Sequence, residues 1–240
     1  MSDCGSPGPQ PGQGGTMLPP WPRALAVIAH PDDESFGLGA VIDRLIAART
    51  AVDILCFTHG GASTLNQTHT DLHRVRETEL RGASAELGVA SVTLLDYPDG
   101  GLSRVLAAEL AGHVAAVADR TGAGGFLVFD DTGVTGHPDH RAATSAAVLT
   151  GNRAGVPVLA WTLPAEVAAR LSAGTGQDFA GRPPALIDLR VRVSRERQRR
   201  AALLHASQIS SGAVLWRRLR LLGDYEYLRW LVPPAAPAAR

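Results

Sequence analysis

From residue 24 to residue 29 the chain reads ALAVIA, a short unbroken apolar run of the kind that forms a strand buried on both faces of a parallel sheet. Behind it, Phe36, Ala40, Val41, Leu45 and Ala48 recur at helical spacing as far as Arg49, which predicts a helix with one apolar stripe. The alternation continues with VDILCF (52 to 57), a helix across Asp71 to Leu87 that Gly88 closes, SVTLLD (91 to 96), a helix from about Ser103, and GFLVFD (125 to 130). Four strand-helix units in succession predict an α/β domain: an open, mostly parallel sheet with helices on both faces and a site at the carboxyl ends of the strands.

Beyond His140 the pattern predicts a helix over RAATSAAVL, a strand at PVLAW (157 to 161), a strand-like run at ALIDLRV (185 to 191) and a helix from about Ser194 to Ser207. Leu215, Leu219, Leu222 and Leu228, with Trp216 and Trp230, suggest one or two closing amphipathic helices that pack on the body or on a second subunit, which leaves homo-oligomerisation open. The Gly/Pro-rich first 22 residues read as a disordered tail, residues 23–232 as the folded domain and residues 233–240 as a flexible end. The loop 58–70 and the region 162–184 are expected to shape a pocket.

Composition narrows the choice of partner. Of 240 residues, 45% are hydrophobic, enough for one sizeable core, and 23 basic residues balance 23 acidic ones. A neutral chain gives no support for a nucleic-acid partner, and the Arg-rich stretch at 190–200 reads as a solvated helix face. No apolar stretch approaches the ~20 residues that span a bilayer. Two cysteines, Cys4 and Cys56, make no disulfide framework, so a cytoplasmic protein is expected.

The chemistry concentrates in two places. Directly after the first strand stands His30-Pro31-Asp32-Asp33-Glu34, one imidazole and three carboxylates at the strand's carboxyl end. Adjacent carboxylates repel one another and lose solvation together, and a divalent cation is the economical counter-charge. His30 and Asp33 are suitable zinc ligands if a turn at Pro31 brings them to one centre; Asp32 is then free for proton transfer, and Glu34 caps or buttresses the first helix. After the fourth strand a loop leads to His137-Pro138-Asp139-His140. In a parallel sheet the two loops share an edge, so His140 completes a His-Asp-His set that leaves a fourth position for water. Taken alone, this second motif also suits a capped helix start with Asp139 near the N-cap.

The pair AHPDDE (29 to 34) and HPDH (137 to 140) resembles the LmbE-like or PIG-L family of N-acetylglucosamine deacetylases, a likeness that covers most of residues 24–210. Supporting it are Arg76-Glu77-Thr78-Glu79-Leu80 before Leu87-Gly88, the loop Tyr97-Pro98-Asp99-Gly100-Gly101-Leu102, and His205-Ala206-Ser207-Gln208. The resemblance implies a Rossmann-like domain that binds Zn²⁺, with Fe²⁺ as an alternative, through His30, Asp33 and His140. It further implies Asp32 as general base, His137 as the group that polarises the acyl carbonyl, and Arg76 and Asp99 as contacts to sugar hydroxyls. His59, His69, His73 and His113 carry no motif and read as surface or loop residues, with His59 near the pocket rim.

Three functions are compatible with this pattern. The first is hydrolysis of an N-acetyl group from an N-acetylglucosaminyl small molecule, and the second is cleavage of another amide, such as a thiol conjugate or an acylated natural product. The third, a metal- or sugar-binding module without turnover, gives Asp32 and His137 no task.

Overall fold

The computed structural model describes residues 15–63, 71–209 and 213–235. Seven strands form one sheet: β1 (Arg23–Ile28), β2 (Ala51–Thr58), β3 (Ser91–Tyr97), β4 (Phe126–Phe129), β5 (Val158–Thr162), β6 (Leu189–Arg192) and β7 (Tyr225–Val232). Their spatial order is β3-β2-β1-β4-β5-β7-β6, parallel through β5, with β7 antiparallel to both of its neighbours. The order reverses between β1 and β4, so the loops leaving those two strands diverge and open a crevice, the place where open α/β sheets bind ligands.

The helices are α1 (Asp33–Phe36), α2 (Gly39–Ala47), α3 (Leu72–Leu87), α4 (Ala107–Thr121), α5 (Gly133–Gly136), α6 (Pro138–Ala154), α7 (Ala165–Thr175), α8 (Glu196–Leu203) and α9 (Ala213–Leu222). Residues of β1 alternate between two cores. Ala24, Ala26 and Ile28 pack with α2 and α3, whereas Leu25, Val27 and Ala29 pack with α4 and α6. Each fully buried Leu, Val or Ile contributes roughly 1.5–3 kcal/mol, so β1 is an anchored base from which the following loop projects.

The structure departs from the sequence reading in several places, each with a local cause. The first predicted helix is two, α1 and α2; Gly37 at the joint lies against Phe129, where a Cβ would stand 2.3 Å from the ring. The predicted helix from Ser103 begins later, at Ala107, after a 3-10 turn over Leu102–Arg104. Residues 15–22 are not a loose tail: Gly15 donates to the Asp188 carbonyl and accepts from the Arg190 amide, and Trp21 is buried edge-on to Trp230. The rest of the predicted tail, the end at 236–240 and His69 lie outside the described residues. The Arg-rich stretch is only partly solvated, because Arg195 is buried while Arg197 and Arg200 pair with Asp43, Glu86 and Glu196.

The largest departure is β7, where Leu228 and Trp230 were expected on a closing helix. Gly223, at φ 56°, ends α9, and from Tyr225 onward the buried positions fall on alternate residues, Glu226 and Leu228. Glu226 is the reason the strand holds its place. Its buried carboxylate accepts from Trp161 Nε1 at 2.7 Å and pairs with Arg195 Nη1, which also reaches Gln198 Oε1 at 3.0 Å. Arg195 donates further to the Gly223 and Tyr225 carbonyls at 2.9 and 2.7 Å. Removing one partner of such a pair strands a buried charge, which is more destabilising than the pair is stabilising. Glu226→Ala is therefore expected to lower stability by about 3–5 kcal/mol, read from urea unfolding followed by tryptophan fluorescence; a loss below about 1 kcal/mol, the scale of an exposed pair, would contradict a structural role for the Arg195 pair.

Candidate metal and catalytic site

The loop after β1 is shaped by Asp33. Its Oδ2 accepts from the backbone amides of Ala29 and His30 at 3.1 and 3.0 Å, closing the turn through Pro31. Oδ1 is thereby left facing His140 Nε2 at 3.1 Å. Burial opposes ionisation of Asp33, but the neighbouring His140 and His30 outweigh it and hold the carboxyl well below the usual range.

The loop after β4 supplies the opposite wall. His137 is the N-cap of α6, Pro138 occupies its first turn, and His137 Nδ1 accepts from the Asp139 amide at 3.2 Å. The cap is thus His137, with Asp139 close to it in the first turn. One turn on, His140 Nδ1 lies 3.3 Å from the Gly133 carbonyl, a bond that puts the ring proton on Nδ1 and leaves the Nε2 lone pair facing Asp33. The rings of His137 and His140 stack with centroids 4.8 Å apart. Burial first, then the proximity of His140 and His30, lowers the His137 pKa from its ordinary value. Among the described residues other than glycine, Asp32, Arg49 and Val134 have positive φ, and two of these three flank the site.

His30 uses both edges of its ring. Nδ1 lies 3.3 Å from His140 Nε2 and 3.8 Å from Asp33 Oδ2. Nε2 lies 3.0 Å from Asp99 Oδ1 and 3.4 Å from Asp139 Oδ2. Burial disfavours a charged imidazole, yet these carboxylates raise its pKa to about 10, which measures how strongly the pocket attracts positive charge. Asp139, buried at the start of α6, also accepts from the Gly100 and Leu102 amides at 2.7 and 3.1 Å, so it ties the loop after β3 to His30. The sequence reading missed this role, because an acidic residue in the first turn of a helix has an ordinary explanation there.

Arg76 and Asp99, expected to touch sugar hydroxyls, both lie beside the cluster and make hydrogen bonds within the protein. Arg76 is buried; its guanidinium reaches the Gly60 carbonyl at 2.6 Å, the Pro31 carbonyl, and Asp32 Oδ2 at 3.0 Å. Gly60, at φ 66°, leaves the room this requires, since a Cβ there would fall 2.1 Å from Arg76 Nη1. Asp99 meets His30 with one oxygen and the Ala62 amide with the other, at 2.9 Å. The Asp32 carboxyl bonds to Arg76; burial, opposed by Arg76 and aided by Asp33, pushes it up to about 6. Glu34 is fully buried, with Oε2 accepting from the Asp32 amide at 2.9 Å and Oε1 2.7 Å from His205 Nε2. His59 stacks on His73 beside this region, and His113 meets the Tyr97 hydroxyl.

The donor atoms suit a divalent cation. His30 Nδ1 lies 3.3 Å from His140 Nε2, and the Asp33 carboxylate meets the two rings with different oxygens, Oδ2 3.8 Å from His30 Nδ1 and Oδ1 3.1 Å from His140 Nε2, close to the spacing of ligands around a tetrahedral metal with bonds of about 2.0–2.2 Å. The outer nitrogen of each imidazole has its own acceptor, the arrangement that fixes metal-binding histidines. Two further triples of candidate donors, each with its atoms within 4.8 Å of one another, occur among the described residues, His30 with His137 and His140, and His30 with Asp99 and Asp139. In the first, His137 has one nitrogen already engaged as the helix cap, and in the second the carboxylates meet the outer edge of His30.

An α/β domain with a histidine-carboxylate cluster at its switch point is a class that includes several chemistries. The sequence profile of PIG-L: GlcNAc-PI de-N-acetylase matches residues 25–150, and the chain belongs to that family. It is 32% identical over 130 residues to a probable N-acetylglucosaminyl-phosphatidylinositol de-N-acetylase of Schizosaccharomyces pombe, covering 52% of this chain and 50% of that protein. To a 1D-myo-inositol 2-acetamido-2-deoxy-alpha-D-glucopyranoside deacetylase of Streptomyces scabiei it is 30% identical over 182 residues, with 65% and 56% covered. The chain spans about half the length of the curated relatives it matches. The fold is shared with a deacetylase of teicoplanin biosynthesis, at TM-score 0.69 and 19% identity over 90% of this chain and 100% of that one. It is equally shared with the 4-carboxy-2-hydroxymuconate hydratase of Pseudomonas putida, at TM-score 0.68 and 17% identity over 91% and 99%. No helix among the described residues is long and apolar enough to cross a membrane.

If Asp139 orients His30, Asp139→Asn is expected to weaken zinc binding by about 10–100-fold in a chelator-competition titration, the usual consequence of altering a ligand's supporting partner. Unchanged affinity would assign that support to Asp99 alone.

Proposed function

We propose that this chain is a metal-dependent deacetylase that removes the acetyl group from an N-acetylglucosaminyl small molecule, with His30, Asp33 and His140 holding the metal. The observation that carries the reading is a His-Asp-His donor set beside a separate buried carboxyl, Asp32, which is hydrogen-bonded to Arg76 and to neither histidine. The relatives named for N-acetylglucosaminyl-phosphatidylinositol and for an inositol 2-acetamido-2-deoxy-glucopyranoside support a substrate of that type. Zinc suits the nitrogen and oxygen donors, as does ferrous iron. A divalent cation at these residues supplies Lewis acidity, which acidifies water and polarises an acyl oxygen.

The chain's own residues divide the remaining work. Asp32 accepts a proton from the water that attacks the acetyl carbon, and Arg76 fixes the direction of its carboxyl. His137, whose Nδ1 is occupied by the Asp139 amide, carries its ring proton on Nε2 and offers it to the acyl oxygen as negative charge develops. The carbon-nitrogen bond then breaks, the nitrogen takes the proton that the water gave up, and acetate and a free amine result. Asp99 keeps His30 oriented in this scheme, and Arg76 serves Asp32, so both act through another residue.

Acetate release from N-acetylglucosaminyl compounds tests the reading. Zinc-loaded protein is expected to release acetate, chelation to stop it and added zinc to restore it. Asp32→Ala is expected to retain the metal while losing about 10²–10⁴-fold in kcat. Tight metal binding with no acetate from any such sugar would sink the assignment and direct the search to other acyl amides.

A further inference from the structure

We infer that Glu34 and His205 form a clamp on the backbone of Asp32, which makes them positioning residues for the general base. This rests on the proposed role of Asp32. It starts from a conformational anomaly: Asp32 has φ 106° and ψ −27°, a region that a residue with a Cβ occupies only when its surroundings impose it. A side chain at that backbone angle leaves the loop in a direction that an ordinary turn would not give.

The hydrogen bonds around Asp32 identify what imposes it. Its carbonyl accepts from the Ser35 and Phe36 amides at 3.1 and 2.7 Å, the opening of the helical turn, which any loop could make. Its amide is different: it points into the protein and donates to Glu34 Oε2, a side chain two residues ahead. That bond requires Glu34 to turn back beneath the loop into a site with no solvent contact. The carboxyl is kept there by His205 Nε2 at 2.7 Å, from a residue 171 positions later, and the His205 ring is itself fully buried edge-on to Phe36. Among the described residues His205 Nδ1 has no hydrogen-bond partner, so there the ring's polar contact is Glu34. Next to it, the Ser207 amide and hydroxyl bind Glu79 at 2.7 and 2.6 Å, which pins the His205 segment to α3, the helix that carries Arg76. Asp32 is therefore held on two sides, its carboxyl by Arg76 and its amide by Glu34, and both supports belong to one connected assembly.

The test separates positioning from simple stability. Glu34→Ala is expected to lower kcat for acetate release by about 100-fold, the scale of a misplaced catalytic group, with KM within about threefold of wild type. Glu34→Gln keeps an acceptor for the Asp32 amide and is expected to recover most of that loss. In an Asp32→Ala background, where no carboxyl remains to be aimed, Glu34→Ala is expected to have no further effect on the residual rate. Because Glu34→Ala leaves His205 buried alone, the double variant Glu34→Met/His205→Leu provides a folded comparison, as apolar replacement of both partners preserves packing; it is expected to show the same fall in kcat. Equal losses in the wild-type and Asp32→Ala backgrounds, or unchanged kcat in the double variant, would overturn the clamp.

A second readout does not depend on turnover. Asp32→Gly and Asp32→Ala both remove the carboxyl that meets Arg76, so their difference isolates the strain of a Cβ at positive φ: the urea midpoint is expected to rise from the Ala to the Gly variant in the wild-type background but not beside Glu34→Met/His205→Leu, where the backbone is free to relax. An equal rise in both backgrounds would show that the clamp does not impose the strain. If the wild type releases no acetate, the deacetylase reading fails while this comparison still decides the clamp.

Discussion

The two edges of the His30 ring hold the site together. Through Nδ1 it faces Asp33 and His140, and through Nε2 it faces Asp99 and Asp139. An imidazole is planar and rigid, so fixing the outer edge against two carboxylates also fixes the lone pair on the inner edge. The partners come from the loops after β1, β3 and β4, and the single ring therefore sets three loops in register. The electrostatics follow from the same arrangement. Three aspartates converge on one buried ring, and they raise the His30 pKa, as expected of a pocket that favours a cation. A metal ion would satisfy that demand with fewer protons, which is why the donor geometry and the charge balance lead to the same conclusion.

Much of this was legible in the sequence, and the reasons for the exceptions are physical. The strands β1, β2, β4 and β5 are largely apolar runs buried on both faces, a pattern that needs no tertiary context, and the two motifs follow β1 and β4 directly. That the sheet reverses its order between those strands explains why the motifs meet. The strand β7 was hidden because Leu228 and Trp230 also fit the end of an amphipathic helix; what decides its conformation is Glu226, whose partners Arg195 and Trp161 lie 31 and 65 positions away. Trp21 was hidden for a similar reason, as the glycine-rich segment before it gives no sign that Gly125 leaves a flat surface for its ring. Asp139 had a sufficient local explanation as a helix-start acid. Arg76 and Asp99 lie beside the cluster, where they meet Asp32 and His30, contacts that their motifs did not announce.

The fold does not select the reaction. A hydratase and several deacetylases share this architecture at comparable structural similarity, so the sheet and its switch point provide only a place for a site. What argues for hydrolysis here is the division of labour within the crevice. His30, Asp33 and His140 turn their free atoms toward one another, whereas Asp32, next in sequence to Asp33, has an unusual backbone angle and gives its carboxyl to Arg76. Adjacent carboxylates given opposite tasks need different environments, and a one-residue change in backbone conformation provides them.

That change depends on chain far from the motif. The residues matched to the family end at 150, yet the amide of Asp32 is held by Glu34, Glu34 by His205, and the His205 segment by Glu79 through Ser207. The segment after α8 is therefore as much a part of the active-site scaffold as the first loop. A catalytic loop that must stay strained needs support from outside itself, because any hydrogen bond made within the loop would be kept equally well by the relaxed conformation. Contacts of long sequence separation meet that requirement: they form only once the whole domain has folded, and they then hold Asp32 in a backbone geometry that the local sequence would not adopt alone.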